Sequence, residues 1–402
     1  MSDVKYWVWL QLCLGTGKSF QRIVEYFGSV EELYNSNYLK RRVCPYVNDK
    51  LLDAMEKTPI EKAEQIVSEC QRNGWGIITF EDEHYPKKLK QIFDPPAVIY
   101  VDGTLPDLDR LLTISIVGTR RPSNYAKSVA RVISKGLARC NAVVVSGGAL
   151  GIDTSAHNGA LEAGGITVSV LGCGLGTDYL STNEELRWRI AQSGAVITEF
   201  PPHTPASRFT FPQRNRIISG LADGVFVVEA GRKSGSLITA DYASSQNRDL
   251  FAVAASIFDK SFNGTNKLIK DGAIPVLDTE SILSCYTEKY KSLDMSRLAT
   301  NDELLSDSYK DRSITPDEDE EITFENIEKH REARTQIDET ARQLVGDEKA
   351  VYEAMTDDYT DIEGIASRSG LDINSVLVAL TMLELDGLAQ SGMGKRYRRK
   401  QS

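Results

Sequence analysis

The chain has 402 residues, of which 41% are hydrophobic and 26% charged, with a formal net charge of −10. At roughly 150 residues per domain this predicts two or three units. No run reaches the ~18 apolar residues that span a bilayer, which excludes an integral helical membrane protein. The apolar stretch in MSDVKYWVWLQLCLG lacks an A-x-A-like cleavage site and reads as a helix. Cysteines 13, 44, 70, 140, 173 and 285 form no C-x-x-C, and the histidines at 84, 157, 203 and 330 are scattered. That argues against a disulfide scaffold and a zinc site, and predicts a cytoplasmic protein with no metal and no cofactor. The charge is uneven. Residues 286–345 carry 16 acids and 9 bases, residues 346–402 carry 10 and 7, and residues 1–285 carry 31 of each. The acid lies in the tail, so the bulk charge leaves room for a basic groove on the main body.

Residues 1–70 read as a small helical domain of the helix–hairpin–helix or SAM type, with Ser29 as an N-cap before Val30-Glu31-Glu32. GTGKS at 15–19 looks like the end of a phosphate-binding loop. The position where that motif needs its first glycine is Leu12, and no strand precedes it, so a packing turn is expected. Residues 71–285 alternate strands and helices. The strands are IITF, AVIYVDG, TISIVG, AVVVSGG, ITVSVLG, AVITEF, GVFVVEA, LFAVAAS and IPVL. Apolar runs without clean alternation are strands buried on both faces, so the expected class is α/β with an extended, mostly parallel Rossmann-like sheet. Such sheets bind ligands at the carboxyl ends of their strands. Residues 286–340, with DEDEE at 317–321 and a short helix expected near 324–343, read as an acidic linker. Residues 341–402 read as a winged helix: EKAVYEAM, IEGIASRSG and INSVLVALTMLELDG as helices, then LAQSGMGKRYRR as a hairpin.

Four glycine-rich segments each follow a strand: IVGTRRPSNY (116–125), VSGGALGID (145–153), LGCGLGTDY (171–179) and EAGRKSGSLITA (229–240). Glycine lets backbone N–H groups approach an anion, and a following helix N-terminus adds free donors. Four such loops on one sheet edge make an anion-binding rim. Arg120 and Arg121 follow the third strand. Arg214 and Arg216 flank Asn215 in a loop expected before a helix, and Arg232 and Lys233 adjoin the SGS turn. Arginine pairs bidentately with phosphate. Phe209, Phe211 and Tyr179 offer faces for base stacking, though Phe209 and Phe211 read equally well as core. Asp153 and His157 share a helix face. They are expected to order the loop, with a general acid–base pair as the alternative. Glu199 and Glu229 end strands and are expected to hold neighbouring arginines.

The ordered string IVGTR, SGGALGIDTSAH, SVLGCGL, FPQRNRIISGL, VVEAGRKSGSLITA and GTNKLIKDGA, preceded by DEHYPKKLKQIFDPPAVIYVDG, resembles the DNA-processing protein A family, DprA or Smf. The resemblance covers residues 75–278. It implies a homodimer that binds single-stranded DNA and loads the RecA recombinase onto it in natural transformation, with no catalytic residue. Carried over by position, the DNA and phosphate contacts fall at Arg120, at the backbone of Ser146, Gly147 and Gly148, and at Arg214 and Arg216. The Ser234-Gly235-Ser236 turn and Asn266-Lys267 follow more weakly. Two departures stand out: Ala254-Ala255 where Pro-Gly is usual, and Leu180 where Pro is usual.

The leading expectation is therefore a non-enzymatic binder of single-stranded DNA. One alternative is a Rossmann-like nucleotide phosphoribohydrolase using Glu199, Glu229 or Asp153. Another is a regulator that binds duplex DNA through the winged helix. The expected recognition helix INSVLVALTMLELDG has no Lys or Arg, which favours protein contact or packing there.

Overall fold

The computed structural model describes residues 4–178, 181–310, 344, 346–356, 360–386, 388–392 and 396–399. Tyr179, Leu180, the DEDEE run and the helix expected near 324–343 lie outside these. Two compact units divide the chain, Met1–Ser313 and Ile314–Ser402.

The first unit opens with six helices: α1 (Val4–Leu14), α2 (Gln21–Phe27), α3 (Val30–Asn35), α4 (Tyr38–Arg42), α5 (Asp49–Lys57) and α6 (Ile60–Asn73). Short polar side chains start three of them: Ser29 accepts from the Glu32 N–H, Asn37 from Lys40 and Asn48 from Leu51. Helix α6 stops at Gly74 in the left-handed region. Helix α1 (VKYWVWLQLCL) is apolar around most of its circumference, broken only by Lys5 and Gln11, so one stripe cannot satisfy it and most of it must be enclosed. Trp7, Trp9 and Leu10 are buried in a cluster that also contains Val98, Tyr100, Leu171 and Val196 of the sheet region. The helices and the sheet thus share a core, and the compact unit runs through the boundary expected at 70.

All nine expected strands form: β1 (Gly76–Thr79), β2 (Val98–Gly103), β3 (Thr113–Val117), β4 (Val143–Ser146), β5 (Thr167–Val170), β6 (Ala195–Thr198), β7 (Gly224–Val227), β8 (Asp249–Ala252) and β9 (Ile274–Pro275). Their order is β1-β2-β6-β5-β4-β3-β7-β8-β9. From β6 to β9 the pairing is parallel, while β1 and β2 add an antiparallel edge. Helices fill the connections between strands: α7 (Lys87–Lys90), α8 (Asn124–Arg139), α9 (Ile152–Glu162), α10 (Glu184–Ser193), α11 (Thr210–Leu221), α12 (Ser236–Ser245) and α13 (Asn263–Lys270), and α14 (Glu280–Leu283) and α15 (Asn301–Lys310) follow β9. Both faces of the sheet are covered. Ile114, Ile116, Val144 and Phe226 pack against α8 and α9, whereas Val117, Val143, Val145 and Val225 pack against α11 and α12. This two-sided burial is why the strands read as unbroken apolar runs.

The compact unit also continues past 285, through the first part of the expected linker. Tyr286 and Tyr290 are buried against the sheet. Their hydroxyls donate to Asp249 and Asp223, each at 2.6 Å, and Lys289 reaches Asp223 at 2.8 Å. Two buried tyrosines in a charged stretch leave little trace in composition, which is why residues 286–310 read as linker.

The second unit contains α16 (Gly346–Ala354), β10 (Thr360–Asp361), α17 (Ile362–Ser369), α18 (Ile373–Leu385), β11 (Ala389–Gly392) and β12 (Arg396–Arg399). Asp361 and Asp372 cap α17 and α18, and Gly370 ends α17 in the left-handed region. Val351, Ile365, Val376, Leu380 and Leu383 form its core, and the sheet order is β10-β12-β11. This is the expected three helices and hairpin.

Candidate nucleic-acid interface

From β3 the chain steps outward through β4, β5 and β6, then returns to place β7 on the other side of β3. The loops after β3 and β7 therefore leave in opposite directions. A crevice opens at such a switch point beyond the carboxyl ends of the strands. Here it is a cleft of about 360 Å³, lined by the β3 loop, the start of α9, one face of α11 and the start of α12.

Arg214 forms its floor. Its Nη1 donates to the Gly147 carbonyl at 2.6 Å and to the Val170 carbonyl, so one guanidinium ties the loop after β4 to the end of β5. Asp153 lies alongside and accepts from the Ala149 N–H at 3.2 Å. Burial raises the Asp153 carboxyl above its ordinary range, and the charge of Arg214 opposes that shift. Position 147 must be glycine, because a Cβ there would stand 2.1 Å from Arg214 Nη1 and 2.6 Å from Asp153 Oδ2. Gly148 follows at φ +67°, a conformation that glycine takes without strain.

Phe211 makes one wall. The exposed Arg120 lies over its ring, with the guanidinium carbon 4.7 Å from the centroid. This cation–π contact holds the arginine side chain across the cleft. The opposite wall is the Ser234-Gly235-Ser236 turn at the N-terminus of α12, where the two serine hydroxyls are 2.8 Å apart. Guanidinium groups, hydroxyls and a helix N-terminus suit a phosphate, and the phenyl face suits a planar base.

Of the residues singled out from sequence, Arg120, Asp153, Arg214, Ser234, Gly235 and Ser236 meet in this cleft, with Phe211 between them. Others do not. Arg214 and Arg216 lie inside α11 and not in a loop before it, because Pro212 falls in the first turn, where its missing N–H costs nothing. Arg216 is buried and paired with Glu199 behind the cleft. The Ser146 hydroxyl donates to the Ile116 carbonyl at 2.6 Å within the sheet, and Gly147 and Gly148 are buried beneath Arg214. Asn266 is turned to Ala255, accepting from its N–H at 3.2 Å and donating to its carbonyl at 3.1 Å. That two-point clamp holds the strand end where Pro-Gly was expected. Lys267 is exposed on α13, outside the cleft lining.

His157 does not order the loop. Its Nδ1 is 2.8 Å from the Thr167 hydroxyl at the start of β5, and that hydroxyl donates to the Val144 carbonyl at 2.8 Å. The hydroxyl must therefore accept from the ring, which places the proton on Nδ1. Full burial lowers the His157 pKa to about 3, and Arg214 adds to the effect, so the ring is a neutral core pin.

The rim carboxylates are also engaged. Glu229 accepts from the Ser123 N–H at 2.9 Å and hydroxyl at 2.8 Å, which fixes the N-cap of α8 and not an arginine. Glu199 does hold an arginine, Arg216. Among the described residues no group of three or more His, Cys, Asp or Glu could hold a metal, and no helix is long and apolar enough to cross a membrane.

Gln11 escaped the sequence reading. It donates to the Glu199 carbonyl at 2.7 Å and accepts from the Tyr100 hydroxyl at 2.7 Å, pinning α1 to the end of β6. Its signal was a lone amide in a helix that is apolar apart from Lys5.

Comparison with known proteins follows the same outline. Residues 76–287 match the family model for DNA recombination-mediator protein A, and residues 336–395 match the DprA winged helix domain. The DNA processing protein DprA of Bacillus subtilis is 38% identical, over 60% of this chain and 82% of its own length. Protein Smf of Synechocystis is 29% identical over 99% of both chains. The crystal structure of DNA processing protein A from Streptococcus pneumoniae superposes with a TM-score of 0.60 at 31% identity, covering 69% of this chain and 95% of that one. The chain belongs to the DNA recombination-mediator protein A family, the DprA/Smf proteins.

Proposed function

We propose that this protein binds single-stranded DNA in the switch-point cleft, without sequence preference and without catalysis, and passes the strand to a recombinase of the RecA type. The observation that carries this reading is the exposed Arg120 laid over Phe211 above the buried Arg214. A phosphate is met by cations and a base by an aromatic face, and phosphate contacts position a strand without reading it. Family membership supports the mediator role. The engaged states of Glu229 and Asp153 favour binding over bond cleavage. A homodimer fits the exposed apolar residues Ile257, Phe258 and Leu277 near the edge strand β9. Six free cysteines, five of them buried, fit a reducing cytoplasm.

Fluorescence anisotropy with a labelled dT oligonucleotide tests the cleft. Arg120→Ala is expected to weaken binding at least about tenfold, since it removes both a phosphate partner and the group held on Phe211. The dependence of log K on log salt is expected to become shallower by about 0.7 for the lost phosphate contact. An Arg120→Ala protein that binds like wild type would remove the cleft from the DNA path.

A further inference from the structure

The GTGKS turn at 15–19 is left unexplained by the cleft alone. It does not act as a phosphate-binding loop between a strand and a helix, because it joins α1 to α2. Its position is nevertheless informative. Gln11, one turn earlier, fastens the end of α1 to Glu199, the residue that follows β6 at the carboxyl edge of the sheet. Gly17 sits so close to α11 that a Cβ there would stand 2.3 Å from Gln213 Nε2. The Gly17 amide also lies against the Glu199 carboxylate and favours its charged form. The turn is therefore docked on α11, the same helix that supplies Phe211 and Arg214 to the cleft.

The two contacts lie on opposite flanks of that helix. Residues 211, 214, 215 and 218 face the cleft at helical spacing, whereas Gln213 is about 200° around from Phe211. At the N-terminus of α11, Phe209 is 71% exposed, with the Arg208 guanidinium 4.8 Å from its ring centre. Lys18 is exposed at the tip of the turn and makes no ion pair among the described residues. An exposed phenyl ring, an arginine resting on it and an exposed lysine beside the cleft together offer what a single strand needs: an aromatic face for a base and cations for its phosphates. A helix is about 10 Å across, a span that a few nucleotides of one strand cover.

We propose that the path of single-stranded DNA continues from the cleft over the N-terminus of α11, with Phe209 as a stacking platform and Lys18 as a second phosphate contact supplied by the N-terminal helices. This rests on the single-stranded DNA reading given above. It assigns those helices a share of the binding surface in addition to their packing role.

The test is anisotropy on the full chain with dT oligonucleotides of about 4 and about 16 nucleotides, the range of site sizes for single-strand grooves. Lys18→Ala is expected to bind the long oligonucleotide several-fold more weakly, with a salt slope shallower by about 0.7, and Lys18→Arg to restore both. Phe209→Ala is expected to lose at least about fivefold on the long oligonucleotide, the effect of one stacked base. Both variants are expected to bind the short oligonucleotide, which the cleft alone accommodates, as wild type does. Wild-type affinity of Lys18→Ala for the long oligonucleotide would overturn the extended path while leaving the cleft standing. Equal losses on both lengths would also overturn it, by tracing the effect to the cleft or the fold. A wild-type protein that binds neither length would overturn the DNA reading and this inference together.

Discussion

Arg214→Ala is expected to destabilise the protein by about 3–5 kcal/mol and to abolish DNA binding with it. Breaking a buried charge pair by removing one partner has that magnitude, because the remaining charge is left uncompensated. Here the group left behind is the buried Asp153 carboxyl, whose charged form Arg214 supports, beside a loop whose Gly147 carbonyl loses its donor, as does the Val170 carbonyl. Each unsatisfied buried carbonyl adds to the cost. Thermal unfolding is expected to fall by roughly 10 °C for a unit of this size. An unchanged melting temperature with lost DNA binding would mean that Arg214 acts as a direct contact and does not hold the loop.

Arg216→Met is expected to destabilise by a similar amount, about 3 kcal/mol at neutral pH, but with a pH signature of its own. Burial already raises the Glu199 carboxyl above its ordinary value, and Arg216 opposes that rise. Without Arg216 the folded-state value climbs further. A carboxyl raised in the folded state takes up a proton on folding, so the folded form is favoured at low pH and disfavoured as pH rises through the folded value. The deficit of Arg216→Met should therefore be large at pH 8 and smaller at pH 5, as measured by urea denaturation. Adding Glu199→Gln should recover most of the loss and remove the pH dependence, since the buried charge is then gone. Among the described residues nothing accepts from Arg216 Nε or Nη1, so replacing both partners sacrifices few hydrogen bonds. A deficit equal at both pH values would show that Glu199 does not carry the cost.

Much of the fold was legible because its physics is local. Buried parallel strands such as TISIV and AVVVS leave runs of β-branched residues, and Ser29 before Val30-Glu31-Glu32 was a working N-cap. The glycine loops pointed to the sheet edge at which the cleft opens, since glycines are needed where a side chain such as Arg214 crosses the backbone. What stayed hidden was direction. Arg214 and Arg216 are two apart in one helix, so one reaches the cleft and the other the space behind it. Asn266 and His157 were polar residues in the right loops or helices, yet each spends its hydrogen bonds on a neighbouring strand end or strand start. Partners fixed by tertiary contact, such as Gln11 with Tyr100, have no spacing to betray them.

The most direct test of the central claim is photocrosslinking of the full chain to an oligonucleotide carrying 5-iodo-dU, followed by mapping of the modified peptides. The predicted result is modification within the 207–218 segment that carries Phe209 and Phe211, lost when unlabelled single strand competes and retained when duplex of the same sequence does. Crosslinks confined to 346–399, or competed equally by duplex, would contradict a single-strand path on the sheet rim and move the DNA to the winged helix.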